Sequence, residues 1–120
     1  MYNLLILGII HNMIGIDLVK ISRFKKIKKH HVAKFLHPCE INEWEKLPKK
    51  RQIRYLANRW AIKEAIYKAD NKYWDFTKIL INKNKSGKYQ FENFEITTTN
   101  ESNHVIAMTF KLGGINEIKN

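Results

Sequence analysis

The order of elements along this sequence predicts an α+β fold in a single domain. Residues 13–19 alternate as a strand does, residues 22–69 carry helical patterns, and residues 95–112 return to β-rich alternation. The chain has 120 residues, and its 44% hydrophobic share provides for a core and argues against a disordered chain. We therefore expect one domain over residues 1–120, with its helices placed between a first strand and a later run of strands.

The charge and cysteine content limit the classes of function. Lys and Arg number 22 against 11 acidic residues, and this net charge of +11 should attract polyanions or acidic proteins. The single cysteine, Cys39, excludes an internal disulfide or a cysteine zinc site within one chain, which favours a reducing compartment such as the cytoplasm. The apolar run over residues 4–10 is too short to span a bilayer. Residues 1–12 are either an N-terminal extension or, as we favour, a first strand.

The strand over residues 13–19 carries an unexpected carboxylate. Ile14, Ile16 and Leu18 share one face, and Asp17 shares the other face with Gly15 and Val19. Asp17 is either a cap for the following helix or part of a site, and Ser22 is the better-placed cap for a helix beginning near Arg23.

Residues 22–35 predict a surface helix, because apolar residues are sparse and basic residues are frequent. This positive face is either solvated or a docking site for an acidic partner. A short helix from Pro38 to Leu47 should follow. The basic residues of the predicted surface helix are Arg23, Lys25, Lys26, Lys28, Lys29 and Lys34.

A long amphipathic helix is predicted from Lys50 to Ala69, where apolar residues recur at helical spacing. Its apolar stripe continues onto Lys63 and Glu64, so a carboxylate falls where the helix turns towards the interior. A buried carboxylate is costly unless it is paired, hydrogen-bonded or bound to a metal. One interpretation is a simple i,i+4 pair between Glu64 and Lys68.

The second half of the chain predicts strands. Residues 74–81 and 89–94 have the composition of a hairpin around a turn at residues 83–88. Residues 95–99 and 104–112 predict two further strands. In the last strand Val105, Ala107 and Thr109 share one face, and the residues between them share the other.

The two core-facing acids, Asp17 and Glu64, lie on different elements. If they converge, a hard divalent cation such as Mg²⁺ is the simplest way to keep both ionised. The basic residues around Glu64 on the helix suit a phosphate ester, and they are Arg59, Lys63 and Lys68.

Four segments carry a resemblance to a known family. They are Ile14–Val19 followed by Ile21 and Arg23, then Phe35–Glu40, Leu56–Ala69 and Ser86–Lys88. Together they resemble the 4′-phosphopantetheinyl transferases of the holo-[acyl-carrier-protein] synthase family, in the same order and spacing over residues 13–112. The resemblance implies an antiparallel sheet packed against a long helix and short helices, assembled as a homotrimer with active sites between subunits.

The resemblance also implies a reaction and its residues. The enzyme would transfer 4′-phosphopantetheine from coenzyme A to a serine of apo-acyl carrier protein, as fatty acid biosynthesis requires, and release adenosine 3′,5′-bisphosphate. Asp17 and Glu64 would hold Mg²⁺, and either Glu64 (through a water) or Lys68 would take the serine proton. Arg23 and Lys26 would dock the carrier. The residues implied to bind the nucleotide and its phosphates are Arg59, Lys68, Ser86, Gly87, Lys88 and Asn100.

The chain departs from the family pattern in three places. Asp70-Asn71-Lys72 stands for Gly-Thr-Gly after the signature helix, Tyr89 stands for a proline, and Thr99-Asn100 stands for Ser-His. His104 is a possible substitute for the missing histidine. Two alternatives therefore stay open: a relative that has kept the fold without the activity, and a basic nucleic-acid-binding module whose aromatic residues stack on bases.

Overall fold

A computed structural model describes residues 13–112 as an antiparallel sheet with a long helix across one face. Three strands form the sheet in the order β1-β5-β4, and β2 pairs with β3 in a separate ribbon. The strands are β1 (Ile14–Lys20), β2 (Asn82–Lys83), β3 (Tyr89–Gln90), β4 (Phe94–Glu101) and β5 (His104–Lys111). The α-helices are α1 (Lys29–Val32), α2 (Pro38–Glu45) and α3 (Lys49–Ala69). The predicted α+β class with an antiparallel sheet is confirmed.

The long helix α3 lies directly against β1, and Gly15 permits this close approach. A Cβ atom at Gly15 would lie 1.7 Å from the carbonyl oxygen of Ala65. The Thr109 hydroxyl of β5 donates to the same oxygen at 2.9 Å. Two further small residues of α3, Ala61 and Ala69, are fully buried. Small side chains therefore set the spacing between the sheet and the helix.

The opposite side of the sheet is apolar and open to solvent in the single chain. Ile14, Ile16 and Leu18 of β1 have exposed fractions of 56%, 57% and 61%. The division of β1 into two faces is as predicted, because Val19 on the other face is buried. The register places Phe110, Met108 and Ile106 of β5 opposite the three exposed β1 residues. We call these six residues the outer sheet face: Ile14, Ile16, Leu18, Ile106, Met108 and Phe110.

The continuous helix predicted over residues 22–35 is wrong. The structure has a 3₁₀ turn at Ile21–Phe24 and then the four-residue helix α1. Like charges four residues apart, such as Lys25 and Lys29, disfavour a continuous helix here. We call residues 20–34 the basic arm.

The predicted helix caps are also wrong. Ser22 lies inside the 3₁₀ turn, where its backbone N–H donates to the Asn103 side chain at 3.1 Å. The Asn103 amide donates in turn to the Ser22 hydroxyl at 2.9 Å. Lys20 occupies the N-cap position of this turn, and its side chain makes no hydrogen bond there. The Asp17 carboxylate accepts from the Lys68 ammonium instead. The capping interpretation of Asp17 is therefore overturned.

The long strand predicted over residues 74–81 is wrong as well. A 3₁₀ turn occupies Phe76–Lys78, and the Asp75 carboxylate accepts from the Thr77 N–H at 3.1 Å to begin it. This local bond outweighs the β-propensity of the segment. The hairpin ribbon has two residues in each strand, whereas the last two predicted strands are confirmed as β4 and β5.

The predicted turn between β2 and β3 is confirmed, and Asn84 organises it. Its side-chain oxygen accepts from the backbone N–H groups of Ser86 at 3.0 Å and Lys88 at 2.9 Å. Gly87 has a φ of 87°, which glycine adopts without strain. These bonds fix the shape of the Ser86–Lys88 turn.

Lys63 is fully buried, and it joins three parts of the chain. Its ammonium donates to Glu40 Oε1 at 2.5 Å and to the carbonyl oxygens of Phe35 and Phe76, both at 2.9 Å. Glu40 is also fully buried and accepts from the Ile81 N–H at 2.9 Å. Burial lowers the pKa of Lys63 to about 8, and Glu40 opposes that shift. This ion pair holds α2 and the segment before β2 against α3.

One prediction, the strand or extension at residues 1–12, lies outside the described residues. No helix within residues 13–112 has both the length and the apolarity that crossing a bilayer requires.

Candidate active site

Strand β1 and helix α3 bring two carboxylates close together. Asp17 lies on the strand face that meets the helix, and its side chain is 13% exposed. Glu64 is half-buried beside Ala65, the residue that touches β1. The close contact of the two backbones therefore places Glu64 within electrostatic range of Asp17.

Lys68 lies one helical turn beyond Glu64 and pairs with the strand. Its ammonium donates to Asp17 Oδ1 at 3.0 Å and to the carbonyl oxygen of Ile16 at 3.2 Å. The structure thus pairs Lys68 with Asp17 across the two elements, where the simple interpretation expected an i,i+4 pair with Glu64. Half of the Lys68 side chain remains exposed, so its ammonium is accessible to a ligand.

The pKa of Glu64 is raised from its ordinary value, first by burial and then by the negative charge of Asp17. Lys68 and Arg23 oppose this shift with their positive charges. Two carboxylates that repel each other in a partly desolvated site are stabilised by a bound cation. Mg²⁺ takes one or two protein carboxylates and completes its shell with water and phosphate oxygens, so this donor pair fits it. Within residues 13–112 there is no group of three or more His, Cys, Asp or Glu residues that would form a fuller metal site.

Arg23 extends from the basic arm over the aromatic residues next to the carboxylates. Its guanidinium carbon lies 5.2 Å from the Trp60 ring centre and 5.7 Å from that of Phe24. Trp60 precedes Glu64 by four residues, so both lie on the same side of α3. Arg23 is therefore held near Glu64 while its charge remains exposed.

Arg59, expected to bind phosphate, points into the interior. Its side chain is 6% exposed, and its Nε lies 3.4 Å from Glu40 Oε2. The guanidinium carbon lies between two rings, 4.2 Å from the centre of Tyr55 and 5.2 Å from that of Tyr89. Helical spacing places Arg59 with Lys63 rather than with Glu64. In the single chain Arg59 thus belongs with Glu40 and Lys63, a group that we call the buried charge cluster.

The turn expected to bind the nucleotide lines a separate cavity. Gly87 and Lys88 border a space of about 540 Å³ together with Met108 and Phe110 of the outer sheet face. The Lys88 ammonium pairs with Glu95 at 2.6 Å. Among the described residues of one chain, the lining of this cavity includes none of the Asp17–Glu64–Lys68 group.

The positions that depart from the family pattern lie at the ends of elements. Asp70 ends α3 with an extended backbone, and its side chain accepts from the Lys72 N–H at 3.1 Å. Asn71 donates from its amide to the Tyr67 carbonyl oxygen at 2.8 Å. Asn100 is exposed near the end of β4.

Sequence reasoning missed two features of this region. One is the partner of Lys63, since no local pattern connects Glu40 to the long helix. The other is Trp74, whose side chain is 72% exposed beside an aromatic cavity. An exposed tryptophan is itself a signal, because large apolar side chains on a surface often mark contact sites.

Comparison with known proteins identifies the family. Residues 13–109 match the model of the 4′-phosphopantetheinyl transferase superfamily. The holo-[acyl-carrier-protein] synthase of Mycoplasma mobile is 43% identical over 111 residues, which cover 92% of each chain. The synthase of Mycoplasmopsis pulmonis is 45% identical over 101 residues, covering 84% of this chain and 91% of the relative.

Solved structures agree on the fold. The holo-[acyl-carrier-protein] synthase of Neisseria meningitidis superimposes with a TM-score of 0.72 at 25% identity, covering 82% of this chain and 95% of that one. The Bacillus anthracis synthase, solved with CoA (3′,5′-ADP), has a TM-score of 0.73 at 24% identity. The match covers 81% of this chain and 92% of that one.

The fold and these matches define an enzyme of the phosphopantetheinyl transferase class. The chain belongs to the 4′-phosphopantetheinyl transferase superfamily, as its sequence motifs indicated. The alternative of a nucleic-acid-binding module gains no support from these comparisons.

Proposed function

We propose that this protein transfers the 4′-phosphopantetheine group of coenzyme A to a serine of apo-acyl carrier protein, the reaction that supplies fatty acid biosynthesis with active carrier. The observation that carries the proposal is the meeting of Asp17, Glu64 and Lys68. It occurs in a chain that is 43% identical over 92% of its length to a holo-[acyl-carrier-protein] synthase. A cytoplasmic location belongs to the same proposal, in keeping with the single thiol of Cys39.

In the proposed reaction, the serine Oγ forms a bond to the phosphorus that carries the pantetheine arm. The bond from that phosphorus to the bridging oxygen breaks, and adenosine 3′,5′-bisphosphate leaves. The serine proton passes to Glu64 through a water, or to Lys68 acting as an uncharged amine rather than as an ammonium. A base within reach is needed because a serine hydroxyl is a poor nucleophile while it keeps its proton.

Asp17 and Glu64 would hold Mg²⁺, which supplies positive charge to the diphosphate when bound. Phosphoryl transfer depends mainly on such charge neutralisation and on in-line positioning. Lys68 would exchange its contact with Asp17 for a phosphate oxygen. The exposed half of its side chain supports this role.

The nucleotide would be bound by the Ser86–Lys88 turn, with help from Arg59 and Asn100. The turn offers the ammonium of Lys88, whose side chain is half exposed. Arg59 would have to leave Glu40 to reach a phosphate, so its contribution is the most demanding part of the proposal.

A homotrimer with active sites between subunits would bring the turn and the carboxylates together. The exposed apolar outer sheet face supports this assembly, since an apolar patch of this kind is typical of a subunit interface. Met108 and Phe110 of that face also line the cavity at Lys88. A neighbouring subunit packed on the outer sheet face would therefore adjoin the turn.

The trimer is tested by placing a charge at Ile16, a side chain that is 57% exposed. Light scattering after gel filtration should give the mass of three chains for the wild-type protein and of one chain for Ile16→Lys. Transfer activity should fall with the trimer. A monomeric wild-type protein with full activity would contradict the assembly.

The activity is tested by the intact mass of apo-acyl carrier protein after incubation with coenzyme A, Mg²⁺ and the protein. A gain of the phosphopantetheine mass is expected, and it should disappear with EDTA or with Glu64→Gln. Lys50→Gln, an exposed change on the same helix, is the control and should retain activity. Failure of the wild-type protein, beside a control transferase that works, would favour the relative that has lost activity.

A further inference from the structure

The short ribbon of β2 and β3 carries the Ser86–Lys88 turn, yet each of its strands has two residues. Asn82 pairs with Gln90, and Lys83 pairs with Tyr89. A two-stranded ribbon is marginally stable at best in water unless it packs on other elements. The position of the turn therefore depends on the contacts that the ribbon makes with the rest of the chain.

Tyr89 makes such a contact, and its partner is the buried Arg59 of α3. The Arg59 guanidinium carbon lies 5.2 Å from the centre of the Tyr89 ring. The Lys83 ammonium lies 5.0 Å from the same ring centre. A cation over an aromatic face is attracted by the electrons of the ring, and the planar group of arginine also stacks on it. Tyr89 thus links the ribbon to the long helix.

Arg59 is itself held in place, so it can serve as a fixed support for the Tyr89 ring. The Arg59 guanidinium carbon also lies 4.2 Å from the ring centre of Tyr55, which precedes it by one helical turn. The Tyr55 hydroxyl donates to Glu43 Oε1 at 2.7 Å. Within residues 13–112, the buried Arg59 Nε has no hydrogen-bond partner, although it lies 3.4 Å from Glu40 Oε2. The two rings, more than the carboxylate, therefore set the plane of the guanidinium.

Tyr89 is at the same time a wall of the cavity where we place the nucleotide. Gly87, Lys88 and Tyr89 border this space of about 540 Å³ in succession. The hydrogen bonds of Asn84 fix the shape of the turn, because they join residues within the turn. They do not fix its place relative to α3. The stack of Tyr89 on Arg59 supplies that second constraint.

We propose that Tyr89 is a positioning residue of the coenzyme A site, and that its stack on Arg59 sets the place of the Ser86–Lys88 turn on the long helix. The inference rests on the proposed function and deepens it, since Arg59 would support nucleotide binding while it stays with Glu40. Tyr89 stands where the family pattern has a proline. A proline restrains the backbone through its own ring, whereas here a side-chain stack restrains it.

The first test is steady-state kinetics of Tyr89→Ala and Tyr89→Phe, with Gln90→Ala as a matched control at an exposed neighbour on β3. We expect Tyr89→Ala to raise the KM for coenzyme A about fivefold, as loss of a cation–π contact predicts, with kcat and the KM for apo-carrier unchanged. Tyr89→Phe should keep the wild-type KM because the ring makes the stack, and Gln90→Ala should keep it too.

Two results of these kinetics would count against the inference. An unchanged KM for coenzyme A in Tyr89→Ala, with normal transfer by the wild type, overturns it and leaves the proposed function standing. An equal rise in the KM for apo-carrier would mean a general defect and also overturn it. No transfer by the wild type would defeat both proposals.

Arg59→Lys separates positioning from direct contact with the nucleotide. Lysine keeps a positive charge beside Glu40 and lacks the planar group that stacks. If Arg59 acts through Tyr89, the change should raise the KM for coenzyme A in the wild-type background and by less than about twofold in Tyr89→Ala. An equal factor in both backgrounds would mean that Arg59 binds the nucleotide independently of Tyr89, and the inference would fail.

Amide hydrogen exchange of the protein without coenzyme A provides a readout that needs no turnover. In Tyr89→Ala, the amides of residues 82–90 should exchange about fivefold faster, because the ribbon loses its stack on the helix. The amides of α3 should keep their wild-type protection, as should both segments in Tyr89→Phe. Equal acceleration in α3 would indicate a loss of overall stability, and unchanged exchange over residues 82–90 would show that Tyr89 does not hold the ribbon. Either result would overturn the inference.

Discussion

Replacing Lys63 by methionine removes the cation at the centre of the buried charge cluster. The ammonium makes hydrogen bonds of 2.5, 2.9 and 2.9 Å, and both it and the Glu40 side chain are 0% exposed. Lys63→Met leaves the Glu40 carboxylate buried without its closest partner. Loss of one member of a buried ion pair costs about 3–5 kcal/mol.

The structure places the expected cost near the lower end of that range. Glu40 still accepts from the N–H groups of Ile81 at 2.9 Å and His37 at 3.0 Å, and Arg59 Nε remains 3.4 Å away. We expect Lys63→Met to lower the free energy of unfolding by about 3 kcal/mol, a large part of the roughly 5–15 kcal/mol typical of a domain.

A double-mutant cycle separates the ion pair from ordinary packing. Glu40→Gln alone should also destabilise, because it leaves the Lys63 ammonium without a counter-charge. The double variant should cost less than the sum of the single changes by about 2 kcal/mol, within the range seen for contacting pairs.

Urea denaturation at pH 7 measures each value, with the midpoint lowered and the slope m unchanged. Lys50→Met, an exposed change on the same helix, should stay within about 0.5 kcal/mol of the wild type. A cost below about 1 kcal/mol for Lys63→Met, or additive costs in the cycle, would refute the buried pair.

Three further predictions follow from the sheet, the carboxylates and the basic arm. Gly15→Ala should cost about 3 kcal/mol in urea, because its Cβ would lie 1.7 Å from the Ala65 oxygen; an unchanged midpoint would contradict that contact. Glu64→Gln should raise Tm at neutral pH without divalent cations, since a raised pKa means that the ionised carboxylate destabilises the folded state. This gain should vanish as the pH falls below 4.5, and Mg²⁺ should raise Tm only in the wild type; scanning calorimetry checks both. Arg23→Glu with Lys26→Glu should raise the KM for apo-carrier mainly at low salt, and an equal KM would leave the arm merely solvated.

Periodicity predicted those parts of the fold that local pattern determines. The alternation of β1 and β5 and the helical spacing of α3 gave the elements, and the two faces of each strand followed. The predicted helix in the basic arm was wrong because repulsion between lysines overrides helix propensity there. The predicted strand at Phe76 was wrong because a local carboxylate bond overrides β-propensity. Such competition between local bonds and propensity is not visible in an apolar pattern.

In the candidate site too, local pattern predicted some residues correctly and missed the partners that come from other elements. The sequence placed Asp17 and Glu64 on core-facing positions, and the structure brings them close together. The destination of Arg59 was not foreseen, because its partner Glu40 comes from another helix. Helical spacing alone would have predicted that Arg59 lies beside Lys63, because the two residues are four apart and share one side of the helix. The roles of these residues in catalysis and binding stay predictions until the assays are done.

The strand order has a consequence for synthesis of the chain. Within the described sheet, β1 is joined to its neighbours only through β5, and Asp17 lies opposite Ala107. During synthesis, the helix that carries Glu64 therefore leaves the ribosome well before β5, the strand that pairs with β1 beside Asp17. Such distant pairing delays folding, because the intervening loop must be closed first. We therefore expect β1 to be seated late, and a chain released before β5 to hold Asp17 and the helix without the strand that pairs with β1.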